Sequence, residues 1–318
     1  MTRMPRRPGS SSAVLPVPRP VVVHADEHPS WVVARQVAAG AWTRAGCGVY
    51  VPAAVSDPRA LVVARAAEVH RRTRARHVLS HTTAAVLHGL ALWEVEPVTH
   101  LRHAHRGSGS ADPSVRHHRP LPPDEHVTDV IGLPVTDLAL TVRDCLAALP
   151  PLAGLVVADS ALRAGLPRSR LEELVTAARG PGSARARLLA ALADDGAESA
   201  CESMTRFAFL RAGWPPPLTQ VRVATPRAVY WADLGWPDWR VAVEYDGIGK
   251  YADAPRHKLL EEKLRRDAFA EAGWQTVHVT AADTLTTILD RTRRVLPPGA
   301  LPPTPRPHPL LSPLTGRR

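Results

Sequence analysis

Three acidic residues in the last third of the chain have the spacing a cation site needs. Asp233 lies in the run YWADLGWP, and Glu244 and Asp246 lie in RVAVEYDG. Side chains alternate along an extended strand, so Glu244 and Asp246 project from one face. A neighbouring strand can bring Asp233 beside Glu244, and Glu202, in the preceding run ESACES, can reach the same patch. Carboxylates gathered without a cation repel and raise one another's pKa. A hard cation such as Mg2+ or Mn2+ takes carboxylate oxygens and completes its shell with water. The expected metal ligands are therefore Asp233, Glu244 and Asp246. A metal held there could activate a water and steady the charge that builds on phosphate during phosphodiester hydrolysis.

Other constellations carry less. His100, His103 and His105, and the pair His117 and His118, alternate in a way that suggests metal binding but read better as surface residues of half-exposed strands. The segment GVYVPA has no phosphate-loop pattern, and no G-x-S-x-G elbow occurs. Cys47, Cys145 and Cys201 are far apart, which argues against a disulfide framework or a cysteine-based zinc site.

The elements that must position the acids follow from periodicity and punctuation. A helix over ESACESMTRFAFLRAG ends at Gly213. Strands follow at 218–223, 228–234 and 240–246, then a helix at 257–272, the strand WQTVHVT and a last helix at 282–295. The order is αβββαβα. Residues 198–296 form this domain, behind a break at Asp194-Asp195-Gly196. The Pro-rich tail 297–318 and the basic segment 1–24 are expected to be disordered.

Over 25–76, a short helix from Ser30 is followed by a glycine-turned hairpin, AWTRAGCGVYVPA, as at the recognition end of a winged helix-turn-helix. A helix then runs from Pro58 to Arg76. The stretch 77–195 is an α+β middle region: a helix SHTTAAVLHGL opened by Ser80, short strands over 95–135, and helices from Asp137 onward. The fold class is thus an α/β multidomain chain.

The chain has 318 residues, is 45% hydrophobic and contains thirty-two prolines, which suits several punctuated globular domains. Its formal charge of +10 is uneven. Residues 1–120 hold sixteen arginines against seven acids, whereas 121–197 hold seven arginines against ten. A basic front attracts a polyanion such as DNA; the arginine-rich, lysine-poor usage of a high-GC genome would give the same bias. No apolar run approaches a membrane span and no secretory signal is evident, so a cytoplasmic protein with no membrane partner is expected.

The segments ESACES, AGWPPPLTQ, AVYWADLGWPDWRVAVEYDG and EEKLRRDAFAEAGWQTVHVT resemble, in this order, the very-short-patch-repair-type endonuclease domain of the PD-(D/E)xK group. The resemblance implies a restriction-endonuclease-like core. Glu202 would match the helix glutamate, Asp233 the metal-binding aspartate, and Glu244 with Asp246 the E-x-D pair. The chain departs from the pattern in one respect. The lysine that often follows the second acid by two residues is replaced by Asp246. Lys250 stands where the repair branch often has histidine, and Lys263 on the next helix could be a migrated lysine.

The front resembles the AbiEi-like type IV antitoxins through RAGCGVYVPA, SHTTAAVLHGL, VTHLRH and GLPVTDLALTVRDCLA. This resemblance implies a DNA-binding winged helix, with Arg35, Thr43 and Arg44 as contacts and a cognate toxin as a possible partner. Two functions follow. One is a DNA-binding protein with a divalent-metal-dependent endonuclease domain. The other is an antitoxin-like autorepressor with an inactive nuclease-like domain. The sequence leaves the oligomeric state open.

Overall fold

The computed structural model describes residues 14–104, 112–247, 256–302 and 306–312. The chain is a mixed α/β protein, with three sheets among the described residues, that divides into two compact units. The N-terminal unit holds Val14–Leu149 and Ala164–Ala191; the described part of the C-terminal unit holds Pro150–Arg163 and the chain from Leu192 onward. No helix among the described residues is long and apolar enough to cross a membrane.

The N-terminal unit begins with β1 (Val23–His24), α1 (Ser30–Ala38) and the hairpin β2 (Trp42–Gly46) and β3 (Val49–Pro52), giving a sheet ordered β1-β3-β2. Gly48 turns the hairpin with φ of +74°, a conformation that costs glycine little. Helix α2 (Pro58–Arg72) starts on Asp57, whose side chain accepts from the Arg59 amide, with Pro58 in its first turn. It ends at Thr73, so Arg74 and Arg76 lie beyond the helix expected to contain them. Ala45, Val49 and Val51 pack with Ala64 of α2.

Next come β4 (His77–Leu79), α3 (His81–Leu87), β5 (Thr99–His103), β6 (Val115–His118), β7 (Val127–Val130), β8 (Leu133–Thr136) and α4 (Leu138–Ala148). The five strands form a mixed sheet ordered β6-β5-β4-β8-β7. All five residues of β5 are buried because β5 lies between β4 and β6.

The segment expected to be a disordered tail is ordered from Val14. Leu15 donates to the Gly89 carbonyl at 2.8 Å, and Arg59 donates to the Pro16 carbonyl. A Cβ on Gly89 would collide with the Leu15 backbone, so the close approach requires glycine. Residues 1–13 lie outside the described residues. The C-terminal tail is likewise partly ordered: Pro309–Leu311 form a 3-10 turn, and Leu311 is buried.

The C-terminal unit opens with α5 (Pro151–Arg163), before α6 (Arg168–Ala177) and α7 (Ser183–Leu192) intervene. It continues as α8 (Ala200–Arg211), β9 (Leu218–Ala224), β10 (Val229–Trp236), β11 (Val241–Asp246), α9 (Arg256–Glu271), β12 (Gln275–Thr280) and α10 (Leu285–Arg293). The expected start at 198 therefore misses α5. The reason is a buried ion pair: Arg206 of α8 meets both oxygens of Asp159 of α5 at 2.7 and 2.8 Å. Ser203 and the Asp194 amide also donate to Asp159.

The sheet of this unit is ordered β12-β11-β10-β9, antiparallel except where β11 and β12 run parallel across α9. One face packs Leu234, Trp236, Val241, Val243, Val277 and Val279 against Phe209 of α8 and Ile288 of α10. The other packs Val221, Val223, Ala232 and Ala242 against Phe269 of α9.

Candidate functional site

Strand alternation sets the acids. Val241 and Val243 face α8 and α10 while Ala242 faces α9, so Glu244 and Asp246 continue the α9 face. On β10 the alternation slips. Ala232 packs on the α9 side and Leu234 on the opposite side, so the change of face falls at Asp233. Opposite it on β9, Gln220 has φ of +48°, uncommon for a non-glycine residue, and the β9–β10 register skips this position between Ala232–Val221 and Leu234–Thr219. The Asp233 carboxylate accepts from the Tyr245 amide at 2.8 Å, tying β10 to β11 just past their last paired residues, Leu234 and Val243.

Glu244 is buried, and Nη2 of Arg265 lies 2.8 Å from each of its carboxylate oxygens. Burial nevertheless pushes the Glu244 carboxyl up to about 8. Arg265 opposes that rise, while the charges of Asp233, Glu262 and Asp246 add to it. Asp246 meets Nδ1 of His278 at 3.0 Å, and His278 is the register partner of Glu244 on β12. The guanidinium of Arg266 stands 4.0 Å from Asp246.

Glu202 is buried in the first turn of α8. Its carboxylate accepts from the Glu198 amide at 2.7 Å and from the Ser199 hydroxyl at 3.0 Å, while Ser199 caps the Glu202 amide. Such reciprocal capping stabilises a helix start without any ligand. Burial and then the charge of Asp233 raise Glu202 to about 7.

The four expected acids thus share one electrostatic neighbourhood. They do not close into a ready cage, however. Among the described residues, the group of three ligand side chains drawn within 4.8 Å of one another is His81, His100 and His118, not the acids. The acids still suit a hard divalent cation by donor type, because all offer oxygen, and burial followed by the charge of Asp233 raises Glu202.

Of the two lysines, Lys250 lies outside the described residues. Lys263 is exposed, and the cation at Glu244 is Arg265. The helical period carries that signal: Arg265 is three and four residues before the buried Ala268 and Phe269, so it shares their face, and Lys263 does not. Arg265 also lies over the Phe269 ring, 5.5 Å from its centroid.

In the N-terminal unit, Arg35 on α1 and Thr43 and Arg44 on β2 are all exposed. Of the histidines expected at the surface, His117 is exposed, but His100 and His103 are buried and His118 is half-buried. His105 lies outside the described residues. His81, which sequence reasoning passed over, joins His100 and His118.

No family model matches the chain, and no solved structure matches it. Two Mycobacterium tuberculosis proteins are similar to part of it: "Uncharacterized protein Rv2248" of strain H37Rv and "Uncharacterized protein MT2308" of strain CDC 1551. Each is 36% identical over 132 residues, 41% of this chain and 48% of the relative. The chain spans about half the length of the curated relatives it matches.

Proposed function

We propose that the C-terminal unit is a PD-(D/E)xK-type, restriction-endonuclease-like domain that hydrolyses DNA phosphodiester bonds with Mg2+ or Mn2+. In this reading the hairpin region of the N-terminal unit is a winged-helix-like DNA-binding module. The observation that carries the reading is the meeting of Glu202, Asp233, Glu244 and Asp246 around β10 and β11, with Glu202 and Glu244 driven upward by burial and neighbouring negative charge. Buried carboxylates in that state favour a cation. Asp233, Glu244 and Asp246 would hold the metal, whose chemistry is to polarise a water and neutralise charge on phosphate. The chain's own residues prepare that arrangement. The Tyr245 amide fixes Asp233, His278 orients Asp246, and Arg265 supplies a positive charge beside the scissile phosphate in place of a lysine.

A second reading has its own support. Arg265 already occupies the Glu244 carboxyl, and Lys263 is solvent-exposed. An antitoxin-like autorepressor carrying an inactive domain, with a toxin as partner, would look the same there. Cleavage of supercoiled plasmid by the full chain with Mg2+ or Mn2+ separates the two. The enzyme reading expects nicking that Glu244→Ala abolishes while DNA binding persists. Binding without cleavage under either metal decides for the repressor.

A further inference from the structure

Three imidazoles meet inside the N-terminal unit, far in sequence from the acidic site and independent of it. His81 opens α3, His100 lies on β5 and His118 on β6, and one ring nitrogen from each falls within 4.8 Å of the others. Nδ1 of His100 is 2.9 Å from Nε2 of His118, and the His81 ring stacks on His118 at 3.8 Å between centroids. We propose that His81, His100 and His118 bind one divalent transition-metal ion of the zinc class.

Two separate observations support a site rather than a packed core. His81 holds φ of +52°, a left-handed conformation that a side-chain-bearing residue adopts at an energetic cost and that collects at functional sites. Ser80 stands at the N-cap of α3 yet makes no side-chain cap bond; its hydroxyl instead lies 2.9 Å from Nδ1 of His81. A hydroxyl on Nδ1 fixes the ring and leaves Nε2 for a ligand, as partners behind metal-bound histidines do.

The electrostatics agree. Burial, followed by the neighbouring rings, holds His81 far below the ordinary histidine range. Burial first and His118 second lower His100 to about 3, and burial chiefly lowers His118 to about 4. Neutral imidazole is the form that ligates. Imidazole donors suit zinc, copper, iron or nickel better than magnesium or calcium. A tetrahedral ion with bonds of about 2.0–2.1 Å separates its nitrogens by roughly 3.3 Å, so His100 and His118 need part only slightly as their rings turn toward the ion.

Three protein ligands leave a fourth position, the arrangement of a metal that binds exogenous groups rather than a closed structural centre. The charge nearby selects that group. Asp144 lies 3.9 Å from Nδ1 of His81 but is already bound by Arg102 at 2.8 Å and Arg143 at 2.6 Å. A divalent ion beside two guanidiniums and one carboxylate leaves net positive charge, which favours hydroxide or a small oxyanion as fourth ligand.

The test uses the full chain, purified without a histidine tag, stripped with chelator and titrated with Zn2+ and with Co2+. Binding of about one equivalent at the histidines is expected, read by the strong visible bands of four-coordinate Co2+, which oxygen ligands at the acids do not give. Those bands should disappear in His100→Gln and in His118→Gln but persist in Glu244→Gln, which separates this site from the acidic one. His118 is only half-buried, so its replacement is the milder probe should the His100 variant misfold. Absence of zinc binding by the wild type, or bands that survive loss of His118, overturns the assignment.

Discussion

One nitrogen of the Arg265 guanidinium sits 2.8 Å from both carboxylate oxygens of Glu244 and also donates to the Trp231 carbonyl at 2.8 Å. In the proposed nuclease the same cation would compete with the metal for Glu244 and would stand where a catalytic cation acts. Those two roles have opposite signs under substitution. Arg265→Gln should bind Mn2+ at least as tightly as the wild type, because a competing charge is gone. It should cut DNA about a hundred-fold more slowly, as expected when a charge-stabilising donor is lost. Calorimetric Mn2+ titration and plasmid nicking at saturating metal read the two effects separately. Equal cutting by both proteins would remove Arg265 from the mechanism.

Metal binding at the acids should depend on pH. With Glu202 at about 7 and Glu244 at about 8, both carboxyls hold protons at pH 6. Raising the pH ionises them, so Mn2+ affinity should climb between pH 6.5 and 8.5 with release of protons. Titrations in buffers of different ionisation enthalpy count those protons. Glu244→Gln should flatten the upper part of the profile.

The two units should respond to acid in opposite ways when metal is absent. His77 and His88 in the N-terminal unit are lowered, chiefly by burial, from an ordinary 6.5. Below that value the unfolded chain takes up protons that the fold refuses, so this unit loses stability as pH falls from 6.5. Glu202 and Glu244 are raised from 4.5, so their contribution is full below 4.5 and fades as pH rises through 7 and 8. Scanning calorimetry in chelator at pH 5 and pH 7.5 should show one transition falling and the other rising on acidification. Parallel shifts would contradict this account.

Asp159→Ala should be among the most damaging substitutions in the C-terminal unit. It leaves Arg206, which is 4% exposed, without its carboxylate. Breaking one side of a buried pair costs about 3–5 kcal/mol. Urea unfolding should report a loss of that order, and a loss under about 1 kcal/mol would mean that water reaches Arg206.

DNA binding by the N-terminal unit should rest on phosphate contacts. Arg35→Ala and Arg44→Ala should weaken binding at every sequence and each reduce the salt slope by about 1. Fluorescence anisotropy at several salt concentrations measures both. A salt-independent affinity would leave the arginine bias to genome composition.

From α8 onward the element order of the C-terminal unit was readable from the sequence because its strands alternate and its helices end on glycines such as Gly213 and Gly273. The Ser80 and Asp137 helix starts and the hairpin around Gly48 were legible for the same local reasons. What escaped was long-range. THLRH looks like a surface strand, but β5 is interior, and its arginine is neutralised by Asp144 from α4. Proline-rich ends look disordered, yet Leu15 and Leu311 each find a tertiary seat. That Glu244 and Asp246 share one sheet face was legible because one strand carries both. Arg265 was missed because Lys263 was chosen by residue type, whereas the burial of Phe269 decides which helix face meets the sheet.

The pairing of Asp159 with Arg206 also bears on how the molecule is made. On a ribosome, α5 emerges before the whole of α6 and α7, which belong to the other unit, and well before α8. Its buried aspartate must wait, unpartnered, while the intervening helices are synthesised. The C-terminal unit is consequently not a segment that can be excised by cutting once. A fragment beginning at residue 198 would lack the helix that Arg206 requires, and a fragment ending at residue 195 would carry that helix with nothing to cover it.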